Sequence, residues 1–333
     1  MGYLRKAKTI LKNVVGPRRH TVCPFLWDSV YVDLSGKVYT CCHGKPAVLG
    51  DIYDSTLEHI WKHSLVLRSA RWAGRHRCLH CFFDCTILPI TLKASPPSAL
   101  PKLQYPHRLW ILFTEFCNIS CIMCWQDHRN QHCLDIEVLK KQVDWAKIDD
   151  IVLQGGEFLA IKKGKEFYRW MTREKGKKVR IITNGTLIDD EWADLLAQGS
   201  SRIAISVNAA TKETHEKINC GSSFDRVIDG IRKLIAVKRT GNLDVHIRYK
   251  FTIVPENITE IADAIVLANT LGCDEFAFGY DASVPDLLQG RPDLVNRLKD
   301  DLNKILAENL DIQIIRNRLE ILGLLDVMQE PPR

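Results

Sequence analysis

Cys117-Asn-Ile-Ser-Cys121-Ile-Met-Cys124 follows closely on an apolar run, Leu109 to Phe113. The run predicts a buried strand, so the cysteine loop leaves the carboxyl end of that strand. Active sites of α/β barrels lie at this end of their strands. Because three thiolates within eight residues of one loop can converge on a single metal centre, this stretch predicts both the fold and the position of the site.

The number of thiolates in the loop favours an iron–sulfur cluster. A fully coordinated [4Fe–4S] cluster takes four cysteines, and three would leave one iron open to another ligand. Structural zinc is the alternative, and it commonly uses two cysteine pairs. His128 or Cys133 would then have to supply the fourth zinc ligand. The spacing alone leaves both metals open.

The C-x₃-C-x₂-C spacing resembles the signature of the radical S-adenosylmethionine (SAM) enzymes. In that family the open iron binds the amine and carboxylate of SAM, and electron transfer cleaves SAM to a 5′-deoxyadenosyl radical. The residue before the third cysteine is often aromatic there, whereas here it is Met123. The resemblance implies two cofactors at this loop: SAM and a [4Fe–4S] cluster bound by Cys117, Cys121 and Cys124.

Composition places the chain among ordinary globular proteins. Of its 333 residues, 46% are hydrophobic and 26% are charged. The net charge of +6 is spread along the chain, which does not indicate a nucleic-acid-binding protein. No apolar run is long enough for a membrane span, and the basic N-terminus lacks the apolar core of a secretory signal. We therefore expect a cytoplasmic protein whose twelve cysteines bind metal rather than form disulfides.

A compact cysteine-rich segment precedes the apolar run. Val30 to Leu34 alternates like a strand, Ser35-Gly36 is a turn, and Lys37 to Cys41 reads as the returning strand. Ser55 is predicted to be the N-cap of a helix through Ile60 and Trp61, with Glu58 completing a capping box.

Four cysteines of this segment, Cys23, Cys41, Cys78 and Cys81, could enclose a metal from two sides, and their spacing suits zinc as well as a cluster. The Cys23-x₁₂-Gly36-x₄-Cys41 spacing, the Leu49-Gly50-Asp51 turn and the Cys78-x₂-Cys81 pair together resemble a SPASM domain. The resemblance implies one auxiliary [4Fe–4S] cluster. In most of that family the domain follows the barrel, whereas here it precedes it. The sequence assigns no function to Cys42 or Cys85.

From Leu109 onward, short apolar strands alternate with amphipathic helices, which predicts a parallel sheet. Six such units would form a partial (β/α)₆ barrel of the TIM type, which is also the fold that the family resemblance implies. The predicted fold class is thus α/β, with a small cysteine-rich iron–sulfur domain before the barrel. The predicted regions are a basic segment (1–22), the SPASM-like domain (23–85), a proline-rich linker (86–108), the barrel (109–290) and a helical extension (291–333).

Gly155-Gly156-Glu157 follows the second predicted strand of the barrel. Two glycines at a strand end let the backbone approach a ligand closely, and Glu157 could accept hydrogen bonds from an ammonium group. A simple turn is the alternative. In this position the turn resembles the GGEP motif of radical SAM enzymes, whose residues hold the amine of SAM. Phe158 replaces the usual proline.

Later strands end in further candidate SAM-binding residues. Asn184 ends the third strand, and Ser206 and Asn208 end the fourth, in a run that resembles the SxDAAT segment of SPASM-containing proteins. There the serine and the acid help to bind the carboxylate or ribose of SAM, whereas Asn208 brings no charge. Arg248 in the fifth strand either points toward a carboxylate ligand or forms a salt bridge in the barrel wall.

These patterns together predict a radical SAM enzyme that abstracts hydrogen from a sugar, a small metabolite or a peptide. Its reaction would be an oxidation or an epimerisation. Some radical SAM epimerases use a cysteine at the position of Cys220 as a hydrogen donor, and an uninvolved loop cysteine is the alternative. The chemistry requires a one-electron reductase of the flavodoxin or ferredoxin type as partner. A zinc- or cluster-binding scaffold without catalysis is the rival hypothesis.

Overall fold

The computed structural model describes residues 25–42, 47–72 and 104–326. Strands and helices alternate along this part of the chain. The chain forms two compact units. The first contains the residues up to Phe113 together with His132–Val152, and the second contains Thr114–Gln131 together with Leu153 and all later residues.

The first unit contains a small sheet. Its elements are α1 (Phe25–Asp28), β1 (Ser29–Val32), β2 (Lys37–Tyr39), β3 (Gly50–Asp51), α2 (Leu57–His63), α3 (Leu65–Trp72), β4 (Arg108–Leu112) and α4 (Ile136–Gln142). β2 is antiparallel to β1 and β3, while β1 is parallel to β4. The Asp33 carboxylate closes the β1–β2 turn by accepting hydrogen bonds from the backbone N–H groups of Ser35 and Lys37. The predicted hairpin is therefore confirmed.

The predicted N-cap of α2 is wrong by one residue. Thr56, not Ser55, has the extended backbone of a cap, and its hydroxyl accepts a hydrogen bond from the N–H of His59. Ser55 instead donates its backbone N–H to the Asp51 carbonyl, which closes the preceding turn. Glu58 forms an ion pair with Lys62 one turn further on, at 2.6 Å.

The second unit is built on parallel strands. Its elements are β5 (Ser120–Cys121), β6 (Asp150–Gln154, which begins in the first unit), α5 (Lys162–Arg169), β7 (Val179–Thr183), α6 (Asp190–Gly199), β8 (Ser200–Ser206), α7 (Lys212–Ile218), β9 (Asn219–Cys220), α8 (Phe224–Thr240), β10 (His246–Ile253), α9 (Ile261–Leu271), β11 (Glu275–Tyr280), α10 (Val284–Gln289), α11 (Pro292–Ala307), β12 (Gln313–Ile315) and α12 (Asn317–Ile321). The strand order β7-β8-β10-β11-β12 is parallel throughout. Side-chain caps start three of these helices: Asp189 caps α6, Thr211 caps α7 and Ser223 caps α8.

The predicted α/β fold class is confirmed by this parallel sheet and its intervening helices. The predicted domain boundaries stay predictions, because residues 1–22 and most of the linker at 86–108 lie outside the described residues. Within the described ranges, no helix combines the length and apolar character that crossing a membrane requires.

Candidate active site

The cysteine loop doubles back on itself within the second unit. The N–H of Cys117 donates to the carbonyl of His128 at 3.1 Å, and the N–H of Cys124 donates to the carbonyl of Cys121 at 3.0 Å. Ser120 Oγ and His128 Nδ1 are hydrogen-bonded at 2.9 Å. These bonds hold the three predicted cluster cysteines on one compact turn, and they tie His128 to the loop itself.

The three thiols interact electrostatically. Burial raises the pKa of Cys117. Burial also raises the pKa of Cys121 to about 12, and the neighbouring Cys117, Cys124 and Cys220 add to this shift. Negative charge on a neighbouring sulfur therefore opposes ionisation of Cys117 and Cys121, and a bound cationic centre would favour the thiolate form of both. The donor set, three thiols on one loop, fits an iron–sulfur cluster.

Among residues 25–42, 47–72 and 104–326, no group of three His, Cys, Asp or Glu side chains surrounds a single ion position. A [4Fe–4S] cluster does not need such a position, because each cysteine binds a different iron.

The Gly-Gly-Glu turn lies directly against the beginning of the cysteine loop. The N–H of Glu157 donates to the Phe116 carbonyl at 2.7 Å, and the N–H of Gly156 donates to Gln126 Oε1 at 3.0 Å. Gly156 has a φ of +51°, and a Cβ there would lie 2.1 Å from the Phe116 oxygen. No other residue fits this close approach, so the glycine is required by the packing of two backbones.

Glu157 is fully buried among protein donors. One carboxylate oxygen accepts from the Leu159 N–H at 3.1 Å and from the Thr183 hydroxyl at 2.8 Å, and the other accepts from the Asn184 N–H at 2.7 Å. Burial raises its pKa to about 7, although these hydrogen bonds oppose the shift. The carboxylate thus joins the turn to the end of β7, and this structure shows it as a residue that positions the site.

Asn184 connects β7 to the cysteine loop. Its Nδ2 donates to Cys117 Sγ at 3.6 Å and to Asn118 Oδ1 at 2.9 Å. Its Oδ1 accepts from the N–H and the hydroxyl of Thr186, at 3.0 and 2.7 Å. The structure therefore places this predicted site residue in contact with Cys117, a predicted cluster ligand.

Asn208, predicted to bind SAM, lies at the end of β8 in a left-handed conformation with a φ of 60°. Its Oδ1 accepts from the Thr252 N–H at 2.8 Å, and its Nδ2 donates to Asn219 Oδ1 at 3.0 Å. The same Asn219 oxygen accepts from Cys121 Sγ at 3.3 Å. Asn208 is thus linked to the cysteine loop through Asn219, while Ser206 is the last, half-buried residue of β8.

Asn219 and His215 were not predicted from the sequence. His215 is fully buried. We assign its Nδ1–H as the donor to the Val207 carbonyl at 2.7 Å and its Nε2 as the acceptor from the Ser222 hydroxyl at 2.7 Å. Burial lowers the pKa of His215, which favours this neutral form. No sequence signal marks either residue, because both lie in a polar run that reads as an exposed helix end.

Cys220 is exposed and lies beside the cysteine loop. β5 and β9 pair antiparallel, so that Ser120 is opposite Cys220 and Cys121 is opposite Asn219. The Cys220 thiol donates to the Lys217 carbonyl at 3.3 Å.

Arg248 is not among the residues gathered at the cysteine loop. It lies near the amino end of β10, where its guanidinium makes two 2.8 Å hydrogen bonds to the buried Glu275 carboxylate. Arg202 Nε lies 3.3 Å from the same carboxylate. Of the two roles that the sequence allowed for Arg248, the structure shows the salt bridge. We therefore remove Arg248 from the proposed SAM-binding residues.

Of the four predicted auxiliary ligands, Cys23, Cys78 and Cys81 lie outside the described residues. Cys41 follows β2 and is buried.

The models of two protein families match this chain. The model of the radical SAM superfamily matches residues 111–268, and the model of an iron–sulfur cluster-binding domain matches residues 23–86. Residues 111–268 therefore form a radical SAM domain. The predicted order, with the SPASM domain before the barrel, is confirmed. So are the predicted cofactors: SAM, its [4Fe–4S] cluster and an auxiliary iron–sulfur cluster.

Curated relatives match part of the chain. A probable GTP 3′,8-cyclase from Saccharolobus islandicus is 30% identical over 172 residues, which are 50% of this chain and 54% of the relative. A probable GTP 3′,8-cyclase from Methanocaldococcus jannaschii is 26% identical over 170 residues, which are 49% and 55%. The chain thus spans about half the length of the curated relatives it matches.

Solved structures of similar fold include Streptococcus suis SuiB. The SuiB structure has a TM-score of 0.50 at 14% identity and covers 86% of this chain and 69% of SuiB. SuiB bound to S-adenosylmethionine has a TM-score of 0.50 at 13% identity, covering 86% and 70%. At this identity the similarity shows the fold alone.

Proposed function

We propose that the protein reductively cleaves SAM at a [4Fe–4S] cluster bound by Cys117, Cys121 and Cys124, and that the resulting radical abstracts hydrogen from a substrate. When bound, the cluster supplies the electron that splits SAM into methionine and a 5′-deoxyadenosyl radical. The observation that carries this proposal is the fastening of one cysteine loop from two sides. The Gly-Gly-Glu turn and Asn184 hold one side, and Asn219 and β9 hold the other.

The residues around the loop would have different roles. Gly155 and Gly156 would let the turn backbone approach the amine of SAM, and Ser206 with Asn208 would lie near its carboxylate or ribose. Glu157 and Asn184 would keep the turn and the loop in register, because their side chains bind the protein itself. The chain's contribution is to hold the reacting carbon close and exclude water, while the cofactor supplies the reactive species.

Cys23, Cys41, Cys78 and Cys81 would bind the auxiliary cluster. A one-electron reductase of the flavodoxin or ferredoxin type would deliver electrons in the cytoplasm. The proposed substrate is a sugar or another small metabolite, and a peptide is the second candidate. The names of the cyclase relatives make a nucleoside triphosphate a further member of the small-metabolite class.

The test is to purify the protein without oxygen, reconstitute it and count iron and sulfide. Dithionite and SAM are then added, and 5′-deoxyadenosine is measured. We expect about eight irons per chain, falling to about four when Cys117, Cys121 and Cys124 are replaced by alanine. Deoxyadenosine formation should be lost in that triple variant. Cys273→Ala is the control, because that thiol is buried just after α9 and, within the residues that the structure describes, makes no contact with the cysteine loop.

A zinc-binding scaffold is the rival. It requires stoichiometric zinc, no iron and no deoxyadenosine, and that result would overturn the proposed function.

Epimerisation is the second candidate reaction, and the position of Cys220 beside the cysteine loop favours it. The Cys220 thiol would return a hydrogen atom to the substrate radical, leaving a thiyl radical that one electron and one proton restore. Product made in D₂O should then carry deuterium at the reacting carbon. A Cys220→Ala variant should still form deoxyadenosine but yield no deuterated epimer. Equal epimer formation in this variant would exclude Cys220 as the hydrogen donor, whereas a wild type that forms no deuterated epimer would leave oxidation as the reaction.

A further inference from the structure

The side-chain amide of Asn219 is buried beside Cys121 and bound on both sides. Its Nδ2 donates to the Val207 carbonyl at 2.8 Å, and a carbonyl oxygen can only accept. His215 Nδ1 lies 3.0 Å from the same Nδ2, but it donates its hydrogen to that carbonyl as well. The Asn219 Oδ1 accepts from Asn208 Nδ2 at 3.0 Å and from Cys121 Sγ at 3.3 Å.

Backbone groups fix the orientation of both amides. The Oδ1 of Asn208 accepts from the backbone N–H of Thr252 at 2.8 Å, and a backbone N–H can only donate. The Nδ2 of Asn208 therefore faces Asn219. A rotated Asn219 would place its oxygen against the Val207 carbonyl and its nitrogen against the Asn208 nitrogen. Because the oxygen and nitrogen of an amide are assigned from their partners, Asn219 presents its oxygen to Cys121.

The contact between Cys121 and Asn219 changes in kind when the cysteine binds iron. The thiol donates to the Asn219 oxygen only while it keeps its hydrogen. A cysteine binds iron as the thiolate, so its proton passes to solvent. The backbone groups of Val207 and Thr252 do not change with the metal, and the amide keeps its orientation. The Cys121 sulfur then faces an acceptor with no hydrogen between them.

Cys117 has the opposite neighbour, because Asn184 Nδ2 donates to its sulfur at 3.6 Å. One electron from the reductase converts [4Fe–4S]²⁺ to [4Fe–4S]⁺ and makes the ligating sulfurs more negative. A donor at a sulfur stabilises this reduced state, whereas an amide oxygen, which carries partial negative charge, destabilises it. The two amides thus act on the reduction potential in opposite directions.

We propose that Asn219 lowers the reduction potential of the SAM-binding cluster by holding its amide oxygen against the Cys121 sulfur, and that Asn208 positions this oxygen. The proposal rests on the proposed function, because it concerns the cluster of the same site. A lower potential makes the reduced cluster a stronger one-electron donor to SAM. Asn219 therefore favours the cleavage of SAM once the electron has arrived, and disfavours its transfer from the reductase.

The test is a redox titration of the anaerobically reconstituted full-length protein, followed by EPR in the absence of SAM. The signal to follow is the one that disappears when Cys117, Cys121 and Cys124 are replaced by alanine. Asn219→Ala should raise the midpoint potential of this signal, because it removes the oxygen and keeps all three cysteines. We expect about a fivefold change in the equilibrium constant for reduction, which is about 40 mV for one electron.

Ser222→Ala is the matched control. The Ser222 hydroxyl donates to His215 Nε2 at 2.7 Å, so its removal weakens the same buried network but leaves the oxygen at Cys121 in place. The backbone N–H of Ser222, which donates to the Asn219 carbonyl at 2.8 Å, is kept. This control should have the midpoint potential of the wild type. Asn219→Ser is a second variant, and because its hydroxyl can donate to the sulfur it should raise the potential at least as much as Asn219→Ala.

Three results would overturn the inference. They are a potential that does not rise in either Asn219 variant, an equal rise in Ser222→Ala, or a loss of iron from both Asn219 variants, which would make Asn219 a residue required for cluster binding. Deoxyadenosine is measured on the same wild-type samples. Deoxyadenosine without a shift in potential refutes the role of Asn219 alone, whereas a shifted cluster signal without deoxyadenosine refutes the proposed function alone.

Discussion

Glu157 and Glu275 are two buried carboxylates of the same unit that are held in opposite ways. Glu157 lies beyond the carboxyl end of β6 and accepts from two backbone N–H groups and one hydroxyl. Glu275 opens β11 at the amino ends of the strands and is bound by guanidinium groups. One is surrounded by neutral donors and the other by cations.

The difference reflects what each end of the sheet does. Neutral donors let Glu157 fasten the Gly-Gly-Glu turn to β7 without placing a cation beside the cysteine loop, and burial then raises its pKa to about 7. At the other end, the ion pairs of Glu275 with Arg248 and Arg202 join three neighbouring strands, β8, β10 and β11. The carboxylate with the raised pKa is therefore the one that positions the cysteine loop. Perturbed pKa values of this kind are common at functional sites.

Glu157→Ala should have the largest effect. It leaves three buried donors without their acceptor, and we expect a loss of about 4 kcal/mol in the free energy of unfolding of the metal-free protein. Urea denaturation measures this loss. Because the turn also fastens Phe116 and Asn184, reconstituted protein should retain less iron than the wild type. Wild-type iron content and stability together would show that the turn does not depend on Glu157.

The pH dependence of stability tests the same carboxylate. Its pKa is about 7 in the folded protein against an ordinary value of 4.5. Below pH 4.5 both states are protonated and burial has no ionic cost. As the pH rises, the unfolded state ionises first, so stability should fall by about 3 kcal/mol until the folded carboxyl also ionises above pH 7. Glu157→Gln should lack this decline. Parallel stability curves for the two proteins from pH 4.5 to 8 would contradict the assignment.

The sequence predicted the alternating elements well, because long amphipathic helices and apolar strands carry strong periodic signals. Strands predicted from the sequence at 150–153, 179–183, 244–252 and 275–279 correspond to β6, β7, β10 and β11. The predicted ends of strands were less accurate: the strand predicted at 203–207 corresponds to β8, which begins at Ser200 because the polar residues before 203 still pair with β7. The predicted N-cap of α2 was wrong by one residue because Ser55 and Thr56 are both residue types that cap helices, and the sequence does not show which of them has the extended backbone.

The site was predictable where chemistry fixes residue type and spacing, as in the three cysteines and the two glycines. It was not predictable where contacts join distant parts of the chain. Asn219 reaches Cys121, and Arg248 finds Glu275, only once the strands are in register. A single sequence does not show which residues of two strands lie opposite each other. The role of Arg248 therefore stayed open between ligand binding and a salt bridge, and no role was predicted for Asn219.

Glu275→Gln should have a smaller effect on stability, and none on the site. The amide keeps one acceptor for Arg248 but removes the charge between two guanidinium groups, each of which is partly solvated. We expect a loss of about 2 kcal/mol in the free energy of unfolding, reduced by that exposure. Iron content and deoxyadenosine formation per folded protein should match the wild type. A loss of iron would mean that the two ends of the sheet are not independent.

Asn184→Ala should have the smallest effect of these variants. The property that it changes is the midpoint potential of the cluster. The Asn184 amide donates to Cys117 Sγ, and a donor to a ligating sulfur stabilises the more negative, reduced state of a cluster. Removing it should lower the midpoint potential by an amount on the order of tens of millivolts, measured by a redox titration followed by EPR in the absence of SAM. Thr186→Val is the control, because it removes a hydroxyl that binds Asn184 while leaving the donor to sulfur in place. If both variants shift the potential equally, the effect comes from loosening the β7 end rather than from the hydrogen bond to Cys117. If only Asn184→Ala shifts it, the neutral donors at this end of the sheet adjust the cluster as well as position it.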